Sequence, residues 1–148
     1  MKAIILLFLI GFSLTYNTAD AVRYARTYCK SHAPPYGVYE PEDKEGAIFI
    51  SQCMIAGGMD FQSCSVSWRD NHGYLQRVKD LKSCLTQKGW KHSTTRPASF
   101  KAGYPIFSTS YSHAMIATAI DGKGVRYCSH NNDRCDAIIY DGIEYYYE

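Results

Sequence analysis

No stretch of this 148-residue chain is apolar for long enough to cross a bilayer. The longest apolar run, Ala3–Leu14, covers 12 residues, against the roughly 20 that a spanning helix needs. Neither sign of charge dominates: 16 Lys and Arg against 14 Asp and Glu leave a net charge of +2, too little to make nucleic acid the main partner. No Cys-x-x-Cys pair occurs, which removes the usual spacing of a structural zinc site; no metal and no cofactor are expected. No Asn-x-Ser/Thr triplet occurs either, so N-glycosylation has no acceptor.

What is present begins with a leader pattern. Lys2 supplies a positive start, Ala3–Leu14 an apolar centre and Ala19-Asp20-Ala21 a small-residue cleavage motif, the three parts of a secretory signal peptide. Residues 1–20 are expected to be removed, leaving 21–148 as a single domain, secreted to the extracellular space, with no stable membrane insertion after cleavage. The alternative is a cut near Thr15 or Thr18, which keeps Asp20 to cap the next helix. All 6 cysteines, at 29, 53, 64, 84, 128 and 135, follow the leader, and an even number in that setting reads as three disulfides. The favoured pairs are Cys29–Cys53, joining the first two helices, Cys64–Cys84, and the local Cys128–Cys135. The 13 tyrosines suit ligand contact or amphipathic packing at the edge of a core.

Ala21, Tyr24, Ala25 and Tyr28 fall on one face of a helix over 21–29. Pro34, Pro35, Gly37 and Pro41 then exclude regular structure over 32–44. Residues 47, 48, 50, 54 and 55 are apolar at helical spacing, and Gly57-Gly58 ends the run as a C-cap, so 45–58 is a buried helix. Leu75, Val78, Leu81, Cys84 and Leu85 mark a third helix over 74–88, closed by Gly89, with Trp90 folding back on it. Trp68 is expected to pack on the central helix, His72 and His92 to be surface histidines without partners, and 93–102 to be a polar connector.

From residue 103 the period changes to two. Residues 103–107, 113–120, 125–129, 137–140 and 143–147 read as strands, with a turn at Asp121–Gly124. Helices first and strands after give an α+β fold, N-terminal helices packed on a C-terminal antiparallel sheet. The aromatic end, Ile143–Tyr147, is a candidate edge strand through which two copies could assemble.

Three stretches carry a resemblance: Phe49-Ile50-Ser51-Gln52-Cys53-Met54-Ile55-Ala56-Gly57-Gly58, Ser112-His113-Ala114-Met115-Ile116-Ala117, and Cys128-Ser129-His130-Asn131-Asn132-Asp133-Arg134. They are similar to the central helix, the histidine strand and the His-Thr-Asn-Asp-Arg segment of the putative amidase domain family. Its members are papain-like cysteine enzymes related to the NlpC-type cell-wall peptidases and CHAP amidases. The resemblance implies a papain-like, NlpC-type fold. In the family the helix opens Asp-Cys-x-Asn-Phe-Val-Ser-Gln, with the cysteine as nucleophile. Aligned without a gap, Glu45 takes the place of the aspartate, Gly46 of the cysteine and Ile48 of the asparagine. The resemblance also makes His113 the general base and His130 or Asn131 the group that orients it, Asn131 standing where the family has threonine. Glu45 would lie beside the histidine, and Tyr36 and Tyr39 of the preceding loop would line a ligand groove.

Glycine has no atom to attack with, and removing a nucleophile from a triad costs about 10^6 in rate. Cys53 lies roughly 10 Å further along the helix axis and cannot replace it. The expected function is that of a secreted amidase-like pseudoenzyme that binds a peptide, a muropeptide of peptidoglycan or a protein, or serves as an extracellular structural unit. The alternative is an active cell-wall or peptide amidase in which His113 activates water without a cysteine. Whether the space above Gly46 is open, or is filled by Tyr104 or Trp90, separates a disarmed site from a closed one.

Overall fold

A computed structural model describes residues 15–32, 42–66, 74–110 and 113–148, with 42–45 described by backbone alone. In chain order its elements are α1 (Thr18–Tyr28), α2 (Glu42–Ala56), α3 (Val78–Gln87), β1 (Lys91–Ser93), β2 (Pro105–Ser108), β3 (Ala114–Asp121), β4 (Gly124–Ser129), β5 (Arg134–Ile138) and β6 (Ile143–Tyr147). The strands form one antiparallel sheet in the order β1-β6-β2-β3-β4-β5. The α+β reading therefore holds, helices first and sheet after. Residues 1–14, Tyr36, Tyr39, Trp68 and His72 lie outside the described residues.

The buried centre is α2, where Ala47, Ile48, Phe49, Ile50, Cys53 and Met54 are all sealed from solvent. A helix apolar on every side has to be surrounded, here by α1, α3 and strands β3 and β4. Its end follows the Gly57-Gly58 signal. Gly58 takes a φ of +93°, the Gly58 N–H donates to the Ile55 carbonyl at 2.9 Å and the Met59 N–H to the Met54 carbonyl at 2.9 Å, which together make a Schellman cap. Gly57 serves a different need: a β-carbon there would come within 2.6 Å of the Tyr16 ring and 2.7 Å of the Asn17 carbonyl oxygen.

That close approach places Tyr16 and Asn17 within the folded unit. The Asn17 N–H donates to the Gly57 carbonyl at 2.7 Å, and the Asn17 side chain caps α1 by accepting the Asp20 N–H at 3.0 Å. The Tyr16 hydroxyl donates to the Gly103 carbonyl at 2.6 Å, and its ring meets Trp90 and Tyr104 at centroid distances of 5.8 and 6.5 Å. Residues 16–20, read from the sequence as leader, thus belong to the fold. Asp20 is not the cap; it pairs with Arg23 at 2.8 Å.

Of the expected disulfides, Cys64–Cys84 is present. The other two pairings are corrected. Cys29 bonds Cys135, 106 residues away, while Cys53 and Cys128 are buried thiols. Tertiary placement decides this: Arg26, one turn before Cys29, donates to the Thr118 carbonyl at 3.1 Å and to Asp136 at 3.2 Å, which brings the end of α1 onto β3 and β5 rather than α2. The Cys128 sulfur sits within 4.8 Å of both sulfurs of that bridge. Burial raises the pKa of the Cys53 thiol, and the neighbouring Cys128 raises it further, so a third pair stands close together in the reduced form.

Two strand assignments change. Lys91–Ser93, of which Ser93 is read from the sequence as the start of the connector, forms β1 and pairs with β6 in the register Lys91↔Tyr147. Three polar-rich residues carry too little alternation to be read as a strand. As a result β6 lies between β1 and β2, and the C-terminal strand offers no open edge for self-assembly. β5 starts three residues earlier than expected, with Asp136 at a φ of +49°.

His92 is on the surface but has a partner: its Nδ1 lies 2.6 Å from Glu144 Oε1, and its ring stacks on Tyr146. Lys82 Nζ donates to Glu144 Oε2 at 2.9 Å. Burial pushes the Glu144 carboxyl up, but Lys82 and His92 outweigh it and hold the group below its ordinary value. A depressed carboxylate contributes stability above its unfolded pKa of about 4.3 and loses it as pH falls through the folded value. Lys82→Met is therefore expected to move the acid-unfolding midpoint to higher pH in a circular-dichroism titration from pH 6 to 2. An unchanged midpoint would remove Lys82 from the acid limb.

Candidate functional site

Gly46 is buried on α2, which begins at Glu42. The resemblance puts position 46 in the first turn; the helix in fact starts about one turn earlier. The space beside Gly46 is taken. An ideal β-carbon there would collide with Asn131 Oδ1 and would lie 3.2 Å from its Cγ and 3.3 Å from its Nδ2. Asn131 reaches this position from the turn after β4, where Asn132 and Asp133 adopt left-handed φ values of 61° and 46° and the Ser129 hydroxyl donates to the Asn131 carbonyl at 3.1 Å. Its Oδ1 is buried and accepts no hydrogen bond from any described residue, an arrangement that typically costs about 1–3 kcal/mol.

Trp90 and Tyr104 do not fill this space. They pack on each other and on Tyr16, beside Gly57 at the opposite end of α2, roughly 16 Å away at 1.5 Å per residue.

His113 immediately precedes β3, and its carbonyl accepts the Ser108 N–H at 3.1 Å. With Asn131 it lines a cavity of about 410 Å³. Met115, Tyr127 and Ser129 line the same cavity. They are alternate residues of β3 and β4, so they share one face of the sheet. Cys128, between Tyr127 and Ser129, faces the other way, toward Cys29 and Cys135. Of the two residues considered for the orienting position, Asn131 is the one brought to both Gly46 and the His113 cavity. His130 is engaged elsewhere: its Nε2 donates to the Tyr28 carbonyl at 2.6 Å, and its ring stacks on Phe49 at 3.8 Å, with the His32 ring edge-on at 4.9 Å. It ties α1 and α2 to the end of β4.

Glu45 precedes Gly46 on the helix backbone, and its side chain, like Tyr36 and Tyr39, lies outside the described residues. Cys53 is fully buried with a raised pKa, the state of an inert structural thiol. Cys29, Cys128 and Cys135 have their sulfurs close enough to hold a metal, but two of the three are joined as a disulfide and offer no thiolate. The site therefore presents a histidine, amide groups and a hydroxyl along a cavity wall, without a nucleophile at position 46.

Sequence reading missed the far side of this cavity, which Arg134, Ala137, Ile138 and Tyr140 complete. Ile138 and Tyr140 are 45% and 41% exposed, unusual for such large apolar side chains here. The signal for it was the unbroken run Ile138-Ile139-Tyr140, which lacks the alternation of a strand with one wet face.

Residues 15–145 match the family described as a putative amidase domain. The chain belongs to that family. Among solved structures, a chain of the type VI native effector–immunity complex Tae3–Tai3 from Ralstonia pickettii is similar, with a TM-score of 0.52 and 15% identity over 89% of this chain and 98% of that one. At that identity the likeness is one of fold, and it agrees with the papain-like architecture described above. No curated protein matches the chain. The family match takes in Thr15 to Asp20, as does the packing of Tyr16 and Asn17.

Proposed function

We propose that this protein is a secreted amidase-like pseudoenzyme, which binds a peptide, a muropeptide or a protein without cutting it. The observation that carries this reading is the pair Gly46 and Asn131: the position of the family's nucleophile holds no reactive atom, and a carboxamide occupies the room a side chain would need. A cysteine nucleophile works as a thiolate beside a histidine; here the nearest cysteine along the helix, Cys53, is buried, which pushes its thiol pKa up. His113 keeps a place on an open cavity, where it can hydrogen-bond a ligand rather than deprotonate a thiol.

Two further observations support the extracellular part of the reading: two disulfides, which persist in oxidising compartments, and the leader pattern at the N-terminus. On this reading the leader ends at or before Thr15, which the packing of Tyr16 against the core supports. The fold neighbour comes from an effector–immunity complex, which supports a protein as one kind of ligand.

The test is release from peptidoglycan and synthetic muropeptides by the disulfide-intact protein. No product above the buffer blank is expected. Hydrolysis that His113→Ala abolishes would overturn the reading and establish a cysteine-free amidase.

A further inference from the structure

The cavity beside His113 is mixed in its chemistry: Arg134, His113, Asn131 and Ser129 line it together with Met115, Ala137, Ile138 and Tyr140. Among the described residues no carboxylate lines it. The Arg134 residue is exposed, and among the described residues it has neither an ion pair nor a side-chain hydrogen bond. The arginines at 23, 26, 77 and 126 are paired with aspartates; Arg96, away from this cavity, is unpaired among the described residues as Arg134 is. Two of the three exposed large apolar side chains, Ile138 and Tyr140, stand on this rim, the third being Ile120. An uncommitted guanidinium next to uncovered apolar surface is complementary to a ligand that carries an anion and an apolar group on neighbouring atoms.

Size narrows the ligand further. At about 410 Å³ the cavity is near the lower end of the usual range for ligand sites. It admits the end of a chain more readily than it threads a long segment. In a peptide whose last residue is apolar, the terminal carboxylate and the apolar side chain sit on the same α-carbon. Arg134, followed by Ala137 and Ile138 three and four residues later on β5, presents the matching pair. Guanidinium recognises carboxylate in a two-pronged geometry, and Asn131, whose amide group can donate, lines the same cavity.

We infer that this cavity binds the C-terminal carboxylate of a peptide ending in an apolar residue, with Arg134 holding the carboxylate and the Met115–Ile138–Tyr140 wall taking the side chain. The inference rests on the binding role proposed above and names its ligand class.

The experiment is fluorescence anisotropy with a labelled Gly-Ala-Leu-Leu peptide as the free acid, the same peptide as the C-terminal amide, and Gly-Glu-Leu-Leu as the amide. The free acid is expected to bind about 10-fold more tightly than the amide, the strength of a charge-assisted pair. Arg134→Gln is expected to abolish that preference. Equal binding of acid and amide, a preference that survives Arg134→Gln, or no binding of either would overturn the inference. Equal binding of the Glu-containing amide and the free acid would also overturn it, since the carboxylate would then not need to be terminal. Chromatography of the peptides after each titration separates the two readings: cleavage speaks against the pseudoenzyme, whereas loss of acid preference speaks against the carboxylate site.

Discussion

A Gly46→Cys variant is expected to release no more muropeptide product than wild type, whereas Gly46→Cys combined with Asn131→Thr is expected to hydrolyse. The reason is steric before it is chemical. Any β-carbon at 46 meets the carboxamide of Asn131, so the single variant must push that side chain aside, and forced packing of this kind costs about 1–3 kcal/mol. The new sulfur is then crowded by the displaced amide rather than opened toward His113. Threonine at 131 is shorter and is the residue that the family pattern carries. It clears the space and also removes the buried, unsatisfied Oδ1.

The gain has a ceiling of about 10^6 in rate, the contribution of a nucleophile in a full triad. Position 46 lies about one turn inside α2, where the helix dipole has faded, so a lower value is expected. Labelling with a thiol-reactive chromophore gives a second readout, with the thiol introduced at position 46 of the double variant reacting and the sealed Cys53 and Cys128 remaining silent. If the single variant hydrolyses as fast as the double, Asn131 does not obstruct the site.

The second large effect concerns the N-terminus. A chain that begins at Val22 is expected to fail to fold, and one that begins at Thr15 is expected to melt cooperatively. The shorter chain loses the Asn17 cap, worth about 1 kcal/mol, and the first turn of α1. It also loses the partly buried Tyr16 ring packed against Trp90 and Tyr104, a share of the about 1.5–3 kcal/mol that full burial of a large side chain contributes. The Tyr16 hydroxyl bond to Gly103 and the Asn17 bond to Gly57 go as well, at about 1 kcal/mol each. Together these approach the roughly 5–15 kcal/mol that holds a typical domain. N-terminal sequencing of the mature protein from its native host checks the same point; a start after Tyr16 would refute it.

Local signals in the sequence were reliable where one physical cause decides the outcome. Gly57-Gly58 predicts the end of α2 because only glycine takes the left-handed position at no cost, and Trp90 folds back after Gly89 through its N–H bond to the Leu85 carbonyl at 3.0 Å. The order of helices and strands also gives the correct class of fold. What could not be read were relations between distant residues. Cys29 finds Cys135 because α1 crosses the sheet, a placement that sequence spacing does not encode. β1 is visible only through its partner, and the start of α1 depends on a packing contact between Tyr16 and Gly57. The same holds at the site: the resemblance puts Gly46 at the nucleophile position, but the filling of the space beside it by Asn131 depends on a turn more than 80 residues away.

The bridge between Cys29 and Cys135 has a topological consequence. Its sulfurs close a covalent ring that contains α2, α3, Gly46, His113 and the Asn131 turn, with a second, smaller ring between Cys64 and Cys84 inside it. A protease that cuts one peptide bond anywhere between residues 29 and 135 opens the ring but releases no fragment, because both new ends stay tethered through sulfur. Where proteases are abundant, such a molecule can be nicked once and still keep the Gly46 and His113 segments together.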